Sequence, residues 1–221
     1  MRAALLIGLL AGCASQNPSA TSTSSSAPRN YELVYEQTFE TVDCLQDFDF
    51  SNPESWTWSR KESAMELVGV GSYEPEHRSP ASLAILKGLK LGDFVLEAEL
   101  KQTGRDYGHR DMCLFFGYVR PALFYYAHLA PAPDENAHNV FLVKDAPRTN
   151  LAPVFPEGMQ WGEGWHTVRL VRRGAEVRVF VDDADQPTLR ARDATIPRGR
   201  VGIGSFDDSG KIRSLKIWAP R

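Results

Sequence analysis

Apolar residues recur along this chain at every second position, in short runs separated by clusters of Gly, Pro, Asp and Asn. A period of two turns one face of an extended strand toward a core and the other toward water, whereas a helix needs apolar residues three and four apart. Strand-like runs are "ELVYEQTF", "SWTWSRKE", "AMELVGVG", "SLAILKGL", "DFVLEAELKQ", "DMCLFFGYV", "LFYYAHLA", "NVFLVKD", "WHTVRLVRR", "EVRVFVDD", "GRVGIGSFDD" and "IRSLKIWAP". In "GDFVLEAELK", Phe94, Leu96, Ala98 and Leu100 share one face, leaving Val95, Glu97, Glu99 and Lys101 on the other. The run "VRLVRRGAEVRVFVDD" predicts a hairpin with Gly174 in its turn. So many antiparallel strands within residues 31–221 predict an all-β protein, an antiparallel β-sandwich.

The order of these runs resembles the concanavalin A-like lectin/glucanase jelly roll. The marks are "YEQTFE" near the start, "GDFVLEAELK" in the middle, and "WHTVRLVRRGAEVRVFVDD" followed by "GRVGIGSFDD" at the end. Within that superfamily the chain is most similar to the 3-keto-disaccharide hydrolase domain and its laminin-G-like relatives among secreted bacterial proteins, over residues 35–221. The resemblance implies a jelly roll whose concave face meets carbohydrate. It says less about a reaction, because the shared marks are strands and turns. Glucanases on this fold carry a Glu-x-Asp-x-x-Glu strand, and here Glu97-Ala98-Glu99 is followed by Gln102 where the last Glu is needed. Retaining hydrolysis needs carboxyl groups about 5–5.5 Å apart, whereas residues i and i+2 on a strand are ~7 Å apart. Glu97 and Glu99 are therefore expected to form a solvated strand face.

Polar chemistry concentrates in the middle of the chain. In "HRDMCLFF", His109, Asp111, Cys113 and Phe115 share one strand face; in "LFYYAHLA", Phe124, Tyr126 and His128 share one. The link "GYVRPA" is short enough for a hairpin, so Tyr126 and His128 are expected beside His109 and Asp111. His138 enters the next strand, and "KDAPR" leaves Asp145 and Arg148 at its far end. A His near a carboxylate suits general acid–base work, and His with Asp suits a divalent ion. His109, Asp111, Tyr126, His128 and His138 are thus the candidate catalytic set. Tyr126 and Trp161 offer flat surfaces for sugar rings, and Arg148 can grip hydroxyls or a carboxylate, with Asp145 beside it. His166 shares parity with Val168 and Leu170 and reads as a strand residue; His77 lies on a polar loop. The resemblance also implies a structural calcium tying the chain ends, with Glu40 and Asp207 or Asp208 as carboxylates.

The first residues, "MRAALLIGLLAGCASQ", combine one Arg, a short apolar run and small residues, the layout of a signal peptide. Leu10-Ala11-Gly12-Cys13 resembles the bacterial lipobox, which implies lipidation of Cys13 after removal of residues 1–12. Residues 13–30 then form a Ser/Thr-rich tether, and Ala14 implies an outer-membrane destination in a Gram-negative envelope, facing periplasm or exterior. The formal net charge is −3, which does not suggest nucleic acid as a partner. Cys44 and Cys113 either pair in an oxidising envelope or stay apart, with Cys113 a small buried apolar residue. Two classes of function follow. One is a carbohydrate-active enzyme, a glycoside hydrolase or lyase resembling the 3-keto-disaccharide hydrolases; the other is a lectin-like module that binds glycan without chemistry. A protein-binding envelope scaffold is a third option.

Overall fold

A computed structural model describes residues 28–152 and 157–221. The expected signal peptide, the expected lipidation site Cys13 and the expected tether as far as residue 27 lie outside the described residues. Among the described residues there are fifteen strands. They are β1 (Tyr31–Gln37), β2 (Phe48–Phe50), β3 (Trp56–Ser59), β4 (Ala64–Leu67), β5 (Ser82–Leu86), β6 (Phe94–Gln102), β7 (Met112–Arg120) and β8 (Leu123–Leu129). The remainder are β9 (Asn139–Lys144), β10 (Thr149–Asn150), β11 (His166–Arg173), β12 (Glu176–Val181), β13 (Leu189–Arg192), β14 (Arg200–Ser205) and β15 (Gly210–Pro220). Among the described residues two short 3-10 helices interrupt them, Val42–Asp47 and Pro53–Ser55.

The strands form two antiparallel sheets. One runs β13-β12-β11-β6-β15-β4-β3, with β1 added along β15; the other runs β10-β9-β8-β7-β14-β5-β2. The fold is therefore the expected antiparallel jelly-roll sandwich. Each anticipated run supplies a strand. Strands β2, β10 and β13 escape the pattern because they have two to four residues, too few to display a period of two. The β11–β12 hairpin turns at Gly174, whose φ of +56° lies in the left-handed region open to glycine. Gly117 (φ +58°) marks the register shift between Phe116 and Arg120, where β7 bends before turning into β8.

Alternation builds the core. Phe94, Leu96, Ala98 and Leu100 of β6 are all buried between the sheets, with Leu114 and Phe116 of β7 and Val168 and Leu170 of β11. Trp161 is also there, fully buried, with its indole Nε1 donating to the Leu129 carbonyl at 3.3 Å. The seven-stranded sheet buries its other face as well. Cys113, Phe115, Phe124, Tyr126, Phe141 and Val143 form a second apolar cluster there, with Leu83 and Ile85. Two-sided burial explains why β8 reads as near-continuous hydrophobic sequence, "LFYYAHL", with only Leu123 less than buried.

The two cysteines sit on opposite sides of that sheet. Cys44 belongs to the inter-sheet core and Cys113 to the outer cluster, and both are free thiols.

Candidate functional site

The β7–β8 hairpin pairs Cys113 with His128 and Phe115 with Tyr126, which brings Asp111, Cys113, Tyr126 and His128 together, whereas His109, expected with them, precedes β7 and turns to Asp134. Their surroundings differ from a solvent-facing cluster. Asp111 has no exposed surface. Its carboxylate accepts from the Ser205 hydroxyl (2.8 Å), the Phe206 N–H (2.9 Å) and the Cys113 thiol (3.1 Å). Burial pushes its pKa up to about 7 despite the opposing pull of these three donors. His128 is buried too, and burial, with the Arg148 charge nearby, pushes it down to about 3. Its Nδ1 accepts from the His138 N–H at 3.2 Å, which leaves the proton on Nε2, 3.7 Å from Asp111 Oδ2. This network ties β7 and β8 to the segment between β14 and β15.

His138 does not join them. A left-handed backbone (φ +48°) turns its ring away, so that Nδ1 accepts from the Ala130 N–H (3.4 Å) and Nε2 meets the Thr188 hydroxyl (2.9 Å). Burial lowers its pKa to about 4. His109, one residue pair before β7, is half-exposed and reaches across to Asp134 Oδ2 at 2.7 Å. Asp134 is fixed by its other oxygen, which accepts from the Asn136 and Ala137 N–H groups.

Tyr126 is fully buried, and its hydroxyl accepts from Arg148 Nη1 at 3.0 Å. Arg148 donates with Nη2 to the Asn136 carbonyl (2.8 Å), and its guanidinium lies between the Phe141 and Phe206 rings, 4.7 and 4.4 Å from their centroids. No carboxylate pairs with it among the described residues. Arg148 floors a solvent-open depression of about 180 Å³ whose rim includes Arg78, Tyr107, His109 and Asp207. Tyr107 donates to Asp208 Oδ2 at 2.8 Å. Burial, then that bond, raises the Tyr107 pKa, so the phenol keeps its proton.

Three expected site residues lie elsewhere. Trp161, inside the core, has no ring face to offer a sugar. Asp145 sits on an exposed turn (φ +50°) and is held by Arg120 through two 2.6 Å bonds, away from the depression, because the β9–β10 turn carries it to the strand's outer end. Glu40 is exposed and does not meet Asp207 or Asp208; the carboxylate that approaches them is Asp111. Calcium takes six to eight oxygens, and this set does not fit one. Both Asp111 oxygens, and Asp208 Oδ2, already accept protein donors. Cys113, Asp111 and His128 also come together, but burial raises the thiol's pKa, so it stays protonated and donates to Asp111. Nor are Glu97 and Glu99 a catalytic pair: they lie on the outer face of the eight-stranded sheet, where Glu99 binds Arg213 through two 2.9 Å bonds.

Sequence reasoning missed Arg78, Tyr107, Asn136 and Phe206. Each comes from a different loop, and no strand parity connects them. The Asp134-x-Asn136 turn chemistry was the one legible signal.

No family model matches this chain, and no curated protein matches it in sequence. Solved structures do. The carbohydrate binding module CBM66 from Bacillus subtilis is similar with a TM-score of 0.56 at 13% identity, covering 76% of this chain and 93% of that one. A Bacillus subtilis protein of unknown function with a galectin-like fold gives 0.57 at 12% identity, with 86% and 100% covered. An immunostimulatory antigen and pseudo beta-1,3-glucanase of Mycobacterium tuberculosis gives 0.54 at 12%, with 86% and 99% covered. At such identities the likeness is one of fold: this chain is an antiparallel jelly-roll β-sandwich, as those structures are.

Proposed function

We propose that this chain is a carbohydrate-binding module held at the cell envelope by a lipid on Cys13. The observation that carries the reading is Arg148, a guanidinium clamped between two aromatic rings, oriented by Tyr126 and Asn136, with no carboxylate partner among the described residues, at the floor of an open depression. Fixed donors in a polar-rimmed hollow suit hydroxyl or acyl oxygens of a sugar. The names of the structural neighbours, a carbohydrate binding module and a pseudo beta-1,3-glucanase, support the same class. A hollow of this size admits a single sugar unit or chain end rather than a long stretch of polymer.

Arg148→Ala in the full-length chain should lower affinity for its glycan about 10–100-fold, the loss of a charge-assisted bond of ~1.5–3 kcal/mol. Its stability cost should be on the order of 2–4 kcal/mol, from the ring contacts and from the buried Tyr126 hydroxyl that loses its partner. Glycan-array binding with titration calorimetry and melting curves measures both. Undiminished binding by the variant would remove the depression as the site.

A second reading, a hydrolase or lyase like the 3-keto-disaccharide hydrolases, is favoured by one feature: the half-exposed His109–Asp134 dyad on the same rim. Asp111 does not serve it, being fully buried with both oxygens accepting protein donors, and His128 reaches the hollow only with the edge of a neutral, nearly buried ring. In that case His109→Ala should abolish cleavage of a 3-keto-glycoside while retaining affinity; absence of turnover in the unaltered chain leaves binding alone.

The anchor rests on Leu10-Ala11-Gly12-Cys13 before a Ser/Thr tether, and two or more acyl chains make a stable attachment. No helix among the described residues is long and apolar enough to cross a membrane. Cys13→Ser should therefore move the protein from the membrane fraction to the soluble fraction; salt-resistant membrane retention would refute lipidation.

A further inference from the structure

The outer face of the eight-stranded sheet carries a charge pattern that its own fold does not use. On β11, β12 and β13 the outward positions include Arg169, Arg173, Arg178, Arg190 and Arg192, against the single carboxylate Glu176. The chain as a whole has a formal net charge of −3, so the concentration is local. Glu176 serves two of them, Arg178 at 2.9 Å and Arg192 at 3.4 Å. Arg190 donates to the Gln186 amide oxygen instead, and Arg169 lies over the Phe180 ring at 4.7 Å although Glu97 is its register partner on β6. Arg178 and Arg190 are directly opposite each other in the β12–β13 ladder. Like charges in that relation destabilise a sheet, and a neutral residue at either position would relieve them.

Two adjoining hollows of about 220 and 700 Å³ share Glu176, Arg178 and Phe180, and together cross from β11 to the β12–β13 edge. Apolar groups supply much of their lining, among them Val171, Phe180, Leu151 and Pro187, and Asp185 lies at the far end. We propose that this groove binds an acidic polysaccharide, a chain of uronate sugars, as a second site separate from the Arg148 depression. Guanidinium forks match carboxylates two bonds at a time, and all five cations are Arg rather than Lys. A polymer with a carboxylate on each ring would place charges along the row of guanidiniums and its C–H faces against the apolar floor. A membrane presents a flat or convex plane of phosphates, which a recessed groove across a sheet does not match. Stacked nucleobases need free aromatic faces, and Arg169 already covers Phe180.

Affinity electrophoresis of the full-length chain through polygalacturonate, with neutral dextran as the control polymer, tests the site. Retardation by polygalacturonate alone, falling as salt rises, is expected, and the Arg178→Gln/Arg190→Gln variant, which removes the opposed charges, should lose at least tenfold in affinity without a lower melting temperature. Arg178→Lys/Arg190→Lys keeps the charge but not the fork, and should fall between; if the Gln variant does not fold, this pair decides. Arg148→Ala should bind polygalacturonate as the unaltered chain does, which separates this groove from the proposed sugar depression. Equal retardation of both double variants, or loss confined to Arg148→Ala, overturns the proposal. So does binding of anionic vesicles or a single-stranded oligonucleotide without binding of polygalacturonate.

Discussion

Asp111→Ala should cost on the order of 3–5 kcal/mol of stability, the largest effect of any single polar substitution in the site region. The carboxylate is fully buried, and removing it strands the Ser205 hydroxyl, the Phe206 N–H and the Cys113 thiol in an apolar cluster. Each orphaned donor forfeits ~1–3 kcal/mol. For a domain of this size the melting temperature should drop by roughly 8–15 °C. Asp111→Asn retains one acceptor oxygen and should lose about half as much. Because Asp111 also holds Phe206, whose ring covers Arg148, the alanine variant should weaken glycan binding in parallel with its unfolding. Urea titrations of the three proteins decide it. A loss below about 1 kcal/mol with binding abolished would make Asp111 a ligand-contacting residue after all.

Acid should destabilise the fold well above the pH at which ordinary carboxylates titrate. His128 and His138 are held neutral, their pKa values lowered from 6.5 to about 3 and about 4 by burial. Their contribution is complete above pH ~6.5 and is lost as pH falls toward those folded values, because the unfolded chain takes up the two protons first. Asp111 acts with the opposite sign. Its pKa is raised from 3.8 to about 7, chiefly by burial, so its contribution is complete below pH ~4 and lost as pH rises through 7. Between pH ~6.5 and ~4 the three groups leave a net uptake of one proton on unfolding, a loss of ~1.4 kcal/mol per pH unit of acidification. His138→Gln should flatten that slope, and Asp111→Asn should steepen it to ~2.7 kcal/mol per unit. Urea unfolding at stepped pH measures the slopes. A flat profile in the unaltered chain would mean that one of the two imidazoles is charged in the fold, and an inverted slope that both are.

Period-two patterning determined the architecture. Where a strand buries one face, as β6 does with Phe94, Leu96, Ala98 and Leu100, the sequence alone gives both the strand and its inward side. The same local logic found the Gly174 hairpin and the shared face of Asp111, Cys113, Tyr126 and His128, since a six-residue link leaves two strands little choice but to pair. Depth was not legible. Parity says which residues share a side but not whether water reaches that side, and the seven-stranded sheet buries apolar residues on both, which turned Asp111, His128 and Tyr126 from an apparent open cluster into a buried one, with only the edge of His128 at the hollow. Trp161, expected to offer a ring face to sugars, is instead buried between the sheets, where its indole N–H donates to the Leu129 carbonyl. Only the tertiary structure could gather Arg78, Tyr107, His109 and Arg148 around one hollow, or set Arg178 against Arg190. Those neighbours lie on separate loops and strands, and their proximity is fixed by sheet order and long-range register, to which no local spacing in the chain corresponds.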